Sequence, residues 1–186
     1  MLKKLALLIV FFAVPAMFAQ GTDATHEFVG AKTCGMCHHS AKQGEQLSIW
    51  EGSAHAKAYE TLKTAEADKI AKDKGFTTKA VETEACLKCH VSGHGVDASL
   101  IGKKFKVEDG VQCETCHGAG GDYKSLKVMK DEKSSVEKGL RVFKTAEDRE
   151  ALCKECHNSE SPTFDAAKAN FTEMWAKIKH NIPSGK

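Results

Sequence analysis

Proline is scarce in this chain, three residues in 186, and arginine is scarcer, with Arg141 and Arg149 the only two. Few prolines, few β-branched runs and long Ala/Lys/Glu stretches argue against an extended sheet or a proline-rich linker, and predict helices joined by loops. An excess of one charge is also missing. Basic residues number 27 and acidic residues 25, and the two are interleaved, so the chain lacks the basic stripe that nucleic acid recognises. Long hydrophobic runs are absent except near the start. There the stretch from Leu5 to Val14 falls short of the roughly 18 to 20 residues a spanning helix needs. Finally, no cysteine stands outside a CxxC pair.

The opening residues, MLKKLALLIVFFAVPAMFA, combine Lys3 and Lys4, that apolar run, and small residues at Ala16 and Ala19. This is the pattern of a secretory signal peptide cleaved near Ala19. Residues 1–19 are thus expected to be removed, leaving residues 20–186 as one exported domain with no transmembrane anchor. The periplasm is the expected destination, with the cell surface or the exterior as alternatives. No cysteine lies near the cleavage point to carry a lipid. The remaining chain has 25 basic and 25 acidic residues.

Eight cysteines in an exported chain ordinarily suggest four disulfides. Their positions argue otherwise. They form Cys34-Gly-Met-Cys37-His38, Cys86-Leu-Lys-Cys89-His90, Cys113-Glu-Thr-Cys116-His117 and Cys153-Lys-Glu-Cys156-His157. CxxCH is the signature of covalent haem attachment. Two thiols at this spacing reach the two vinyl groups on one edge of a porphyrin, and the next residue brings an imidazole to the iron. Zinc bound by two CxxC pairs and a redox dithiol are the competing readings. Neither requires the histidines. With 9 histidines in 186 residues, four CxxC pairs all followed by histidine arise by chance on the order of once in 10⁵. The expected cofactors are four covalently attached haem c groups, with His38, His90, His117 and His157 as proximal iron ligands. About 42 residues per haem cannot bury four porphyrins separately, so the haems should share one apolar core and lie close together.

Five histidines remain for the distal positions: His26, His39, His55, His94 and His180. His55 lies in Ser-Ala-His-Ala-Lys-Ala, after Gly52 and a helix-cap candidate at Ser53. Leu47, Trp50, Ala54, Ala58 and Leu62 form an apolar stripe beside it, so an ordinary amphipathic helix with a core-edge histidine is the alternative. His180 ends the stretch Phe164 to Asn181, whose Phe164, Phe171, Trp175 and Ile178 follow helical spacing. It falls off that stripe, where a surface histidine is the alternative. His94 follows His90 by four residues, and His39 adjoins His38; each is badly placed to cross its own haem but able to serve another. His26 could reach a haem of its own chain or of a neighbour. Met129 and Met174 are the other distal candidates, although surplus histidine favours mainly bis-His, low-potential haems.

These residues resemble the tetrahaem cytochrome c-554 family. The resemblance runs from Phe28 to about His180. It rests on Phe28-Val-Gly-Ala-Lys-Thr before the first motif, Ser53-Ala-His-Ala-Lys-Ala, Cys86-Leu-Lys-Cys-His-Val-Ser-Gly, Gly110-Val-Gln-Cys-Glu-Thr-Cys-His-Gly-Ala-Gly, and Phe171-Thr-Glu-Met-Trp with His180. It implies that His55 pairs with His157 on the fourth haem, that His180 pairs with His117 on the third, and that the position opposite His90 is open. It also places the first haem's distal ligand shortly after the third motif, where this chain has no histidine between His117 and His157. Gly118, Gly120 and Gly121 are expected where backbone approaches a ring edge or turns sharply.

The chain is accordingly expected to be a mostly α, small helical multihaem cytochrome with a haem-dominated core and little sheet. It should relay electrons between redox proteins as a carrier rather than an enzyme. Two rival readings remain: an enzyme acting on nitric oxide or hydroxylamine at an open haem, and a subunit of a haem-bearing filament.

Overall fold

The computed structural model describes residues 25–180; the expected signal peptide, residues 1–19, lies outside them. Among the described residues ten short α-helices carry the fold: α1 (Ala31–Gly35), α2 (Gln46–Glu51), α3 (Ala58–Thr61), α4 (Ala65–Asp73), α5 (Glu84–His90), α6 (Cys113–His117), α7 (Leu126–Met129), α8 (Glu132–Glu137), α9 (Ala146–Lys154) and α10 (Phe171–Ile178). Among the described residues the extended pairing is one isolated bridge between Phe28 and Ile101. The mostly helical expectation holds.

Among the described residues no helix exceeds nine residues, too short to be stable by propensity alone. Caps define several starts. Thr145 and Asp148 form a reciprocal capping box at α9, in which the backbone amides of Thr145 and Lys144 hold the Asp148 carboxyl below its usual range. Asn170 caps α10 through the Glu173 amide. That cap also explains a departure from the expected helix over 164–181, because Phe164 lies in the preceding turns and α10 begins only at Phe171. The stripe from Leu47 to Leu62 is likewise divided. α2 ends at Glu51, and residues 52–57 turn before α3. Ser53 caps that turn by accepting from the Ala56 amide, not a continuing helix.

The interior is unusual in what it buries best. The largest fully buried side chains are Gln112, Glu114 and Ser135, all polar. Buried apolar residues are few and mostly modest in size, such as Ala31, Leu62, Ala71, Ala80 and Val91. Leu62, Ala71 and Ala80 make a small cluster with Ala67, Val81, Cys86 and Leu87 under the second motif.

Buried polar groups bind the N-terminal segment to the third motif. Gln112 accepts from the Ala31 amide at 2.8 Å and donates to the Lys106 carbonyl at 2.8 Å. Its own amide donates to Ser92 Oγ at 2.7 Å, and Ser92 in turn bonds the Thr115 hydroxyl. Glu114 accepts from three further backbone amides. Gly118, at φ +80°, turns the chain after α6 so closely against the Gly139 carbonyl that a β-carbon would collide with it. Gly120 and Gly121 meet Val29 and the Glu27 backbone, so in this structure the glycine loop approaches protein backbone and side chain.

Candidate haem-binding site

Each CxxCH segment forms one helical turn. In the first motif the Cys37 and His38 amides both donate to the Cys34 carbonyl, at 3.2 and 3.1 Å. In the fourth, Cys156 and His157 donate to Cys153 at 3.3 and 2.8 Å. The second and third motifs lie within α5 and α6. One turn brings the first cysteine and the histidine four residues later to the same face. No disulfide joins any of the eight cysteines. Among the described residues no three His, Cys, Asp or Glu side chains converge as a metal-ion site, so the structure adds nothing to the zinc reading.

Two imidazole pairs stand out. His55 and His157 face each other with ring centroids 6.1 Å apart, and His117 and His180 do so at 5.9 Å. Metal–imidazole bonds of about 2 Å on each side of one ion place the two ring centroids about 6 Å apart. The donor sets therefore fit a six-coordinate haem iron between each pair. Burial, followed by the neighbouring His157, keeps His55 below the usual histidine range. Burial, then His180 and His38, pushes His117 down to about 4. His157 is lowered by burial and His90. All three are thus neutral near pH 7, as an imidazole must be to offer a nitrogen lone pair to a metal. Phe164 packs 5.2 Å from the His157 ring and Phe143 6.4 Å from His117.

Hydrogen bonds fix ring orientation. His90 Nδ1 lies 2.8 Å from the Ala58 carbonyl. A carbonyl only accepts, so Nδ1 carries the proton and Nε2 is the available ligand, the arrangement usual for metal-binding histidine. His180 Nδ1 lies 3.2 Å from the Ile178 carbonyl in the same sense.

The remaining histidines have other partners. His39 is exposed and donates from Nδ1 to the Gly35 carbonyl at 2.8 Å. His94 Nε2 meets Glu84 at 2.9 Å. His26 Nδ1 meets Asp122 at 2.7 Å, while its Cδ2 and Nε2 edge lies against Gly139. Met129 ends α7, and Met174 lies within α10.

The motifs are not neighbours in chain order. The Cys34 thiol is within hydrogen-bonding reach of Cys113, and His38 acts electrostatically on His117. Cys116 is close enough to Cys153 to be influenced by it. Cys89 bonds Cys156, and His90 acts on His157. The spatial order is therefore first, third, fourth, second.

Sequence reasoning missed Glu114 and Gln112 as the residues that join the first and third motifs. A charged residue between two attachment cysteines was the available signal. It also missed the Ala58 carbonyl, which no sequence pattern marks.

The family described as cytochrome c554 and c-prime matches residues 33–118. Cytochrome c-554 of Nitrosomonas europaea is 34% identical over 170 residues, covering 86% of this chain and 70% of that protein. The solved structure of reduced cytochrome c554 from the same organism superposes with a TM-score of 0.56 at 26% identity, covering 83% of this chain and 84% of that one. With that identity and coverage added to four CxxCH turns, the chain belongs to the cytochrome c554 family and is a multihaem c-type cytochrome of electron transfer, with four covalently attached haem c groups.

Proposed function

We propose that this chain relays electrons between redox proteins through closely packed, mainly bis-His haems, along the spatial order first, third, fourth, second. The carrying observation is the pair of facing imidazoles, His55 with His157 and His117 with His180, at 6.1 and 5.9 Å. When bound, haem c supplies an iron that cycles between ferrous and ferric states, accepting one electron from a reduced donor and yielding it to an oxidised acceptor. The chain supplies the rest. Its cysteines would anchor the groups, His55 with His157 and His117 with His180 would hold two of the irons, and irons held on both sides would be closed to small molecules. Contacts between Cys34 and Cys113, and between Cys89 and Cys156, favour close passage from motif to motif.

Residues 1–19 act in this reading as a removed export signal, with residues 20–186 as the single mature domain in the periplasm. Among the described residues no helix is long and apolar enough to cross a membrane. An intact mass beginning at Gln20 and including four haems is the expected result.

A second reading, reaction with a small nitrogen compound at an open haem, draws on His90. Its Nε2 is oriented as a ligand by the Ala58 carbonyl, and the nearby His94 is engaged by Glu84. Carbon monoxide binding to the dithionite-reduced protein, scaled to haem from a pyridine haemochrome assay, separates the two. No carbon monoxide bound supports the pure carrier. About one equivalent per four haems favours the open-site reading.

A further inference from the structure

Glu114 is a buried carboxylate, 2% exposed, in the turn between the haem-attaching Cys113 and Cys116. Oε1 accepts from the Val29 amide at 2.8 Å and the Gly120 amide at 2.7 Å, and Oε2 accepts from the Gly30 amide at 2.8 Å. Every one of these partners donates and none accepts, a donor set matched to a carboxylate. Val29 and Gly30 lead directly into the first motif, four to five residues before Cys34. The charge thus sits where the polypeptide of the first and third motifs meets. The Glu114 carboxylate lies close enough to Cys34 of the first motif and Cys113 of the third to act on both electrostatically.

The equivalent position differs in every motif. It is Gly35 in the first, Leu87 in the second, Glu114 in the third and Lys154 in the fourth. Lys154 is exposed and paired with Glu150 at 2.5 Å. Only the third motif places a buried anion there.

We infer that Glu114 is a fixed charge that lowers the reduction potentials of the haems on the first and third motifs relative to those on the fourth and second. A ferric haem carries one more positive charge than a ferrous haem, so a nearby anion stabilises the oxidised state. Inside a protein that interaction is weakly screened. Electrons then leave the first–third pair for the fourth–second pair, which gives the relay a direction. The inference rests on the tetrahaem reading above.

The test is a spectroelectrochemical titration of the holoprotein, after a pyridine haemochrome assay establishes haem content. A wild type without four haems fails the tetrahaem reading itself; four haems with unmoved potentials fail only this inference. Glu114→Gln is expected to raise two of the four midpoints, with an approximately tenfold change in the ferric-to-ferrous ratio, about 59 mV for one electron. The other two midpoints should stay in place. If Glu114→Gln does not assemble, Glu114→Ser removes the same charge and admits water to the freed amides. Glu114→Asp keeps the charge and is expected to leave the midpoints near wild type even though the shorter side chain weakens the hydrogen bonds. Unmoved midpoints in the neutral variant, a shift of all four together, or an equal shift in Glu114→Asp would overturn the inference.

Discussion

The two neighbouring motif pairs are held by different means. Between the first and third motifs, Gln112 and Glu114 reach back more than 80 residues to bond the amides of Val29, Gly30 and Ala31 from a buried position. Between the second and fourth, the polar bridge is the exposed Lys88–Glu160 pair, with Cys89 and Cys156 in contact beneath it. Buried hydrogen bonds are expensive to break because each orphaned partner keeps its desolvation cost. An exposed ion pair is screened and contributes little. The first–third junction is therefore expected to be the more firmly held of the two.

The largest change is expected from the distal ligands, which the two halves share as a principle. His55→Ala, in the fourth-motif half, and His180→Ala, in the third-motif half, should each add about one carbon monoxide-binding haem per chain to the wild-type value. Unequal results would show that one half alone is bis-His.

Gln112→Ala tests the first–third junction directly. It orphans the Ala31 amide and the Lys106 carbonyl, so a loss of about 2–4 kcal/mol in denaturant unfolding of the holoprotein is expected. A loss below about 0.5 kcal/mol would remove the distinction between the halves.

Acid sensitivity gives a smaller effect. The hydrogen bond from His26 holds the Asp122 carboxyl below its ordinary value of 3.8. The bond thus stabilises the fold above that ordinary value and loses its contribution as pH falls through the lower folded value. Asp122→Asn should be slightly less stable than wild type at pH 6, and the difference should vanish at strongly acidic pH. A constant difference across the pH series would show that the Asp122 charge is not its source.

The smallest effect belongs to Lys88→Ala. Its Tm should match wild type within error, because Lys88 and Glu160 are both exposed. A clear fall would show that the exposed pair helps to hold the second–fourth junction.

The sequence showed the chemistry of the site more readily than its assembly. Four CxxCH motifs are legible because covalent attachment demands contiguous residues. His55 and His180 are distal candidates from their own sequence context, the resemblance implies their partners, and the structure sets them opposite His157 and His117. Helix limits were less legible, since apolar spacing continues across residues 52–57 and 164–170 while Ser53 and Asn170 cap local turns and a new helix. Glu114 was least legible. A glutamate in a string of motif residues looks like a solvent-facing spacer, and its role depends on amides 84 and 85 positions away. Likewise, nothing in the spacing of His26 and His94 discloses their carboxylate partners, which come from the fold.

The interleaved order of the motifs bears on modularity. Dividing the chain between His90 and Cys113 would give one fragment with the first and second motifs and another with the third and fourth. In the first fragment, each motif would have lost the neighbour it touches in the intact protein, because Cys34 meets Cys113 and Cys89 meets Cys156. A half-length version would not be half a wire. Growth or reduction of this architecture by shuffling two-motif segments is therefore disfavoured, and the four-motif unit is the smallest piece of the relay that can be inherited intact.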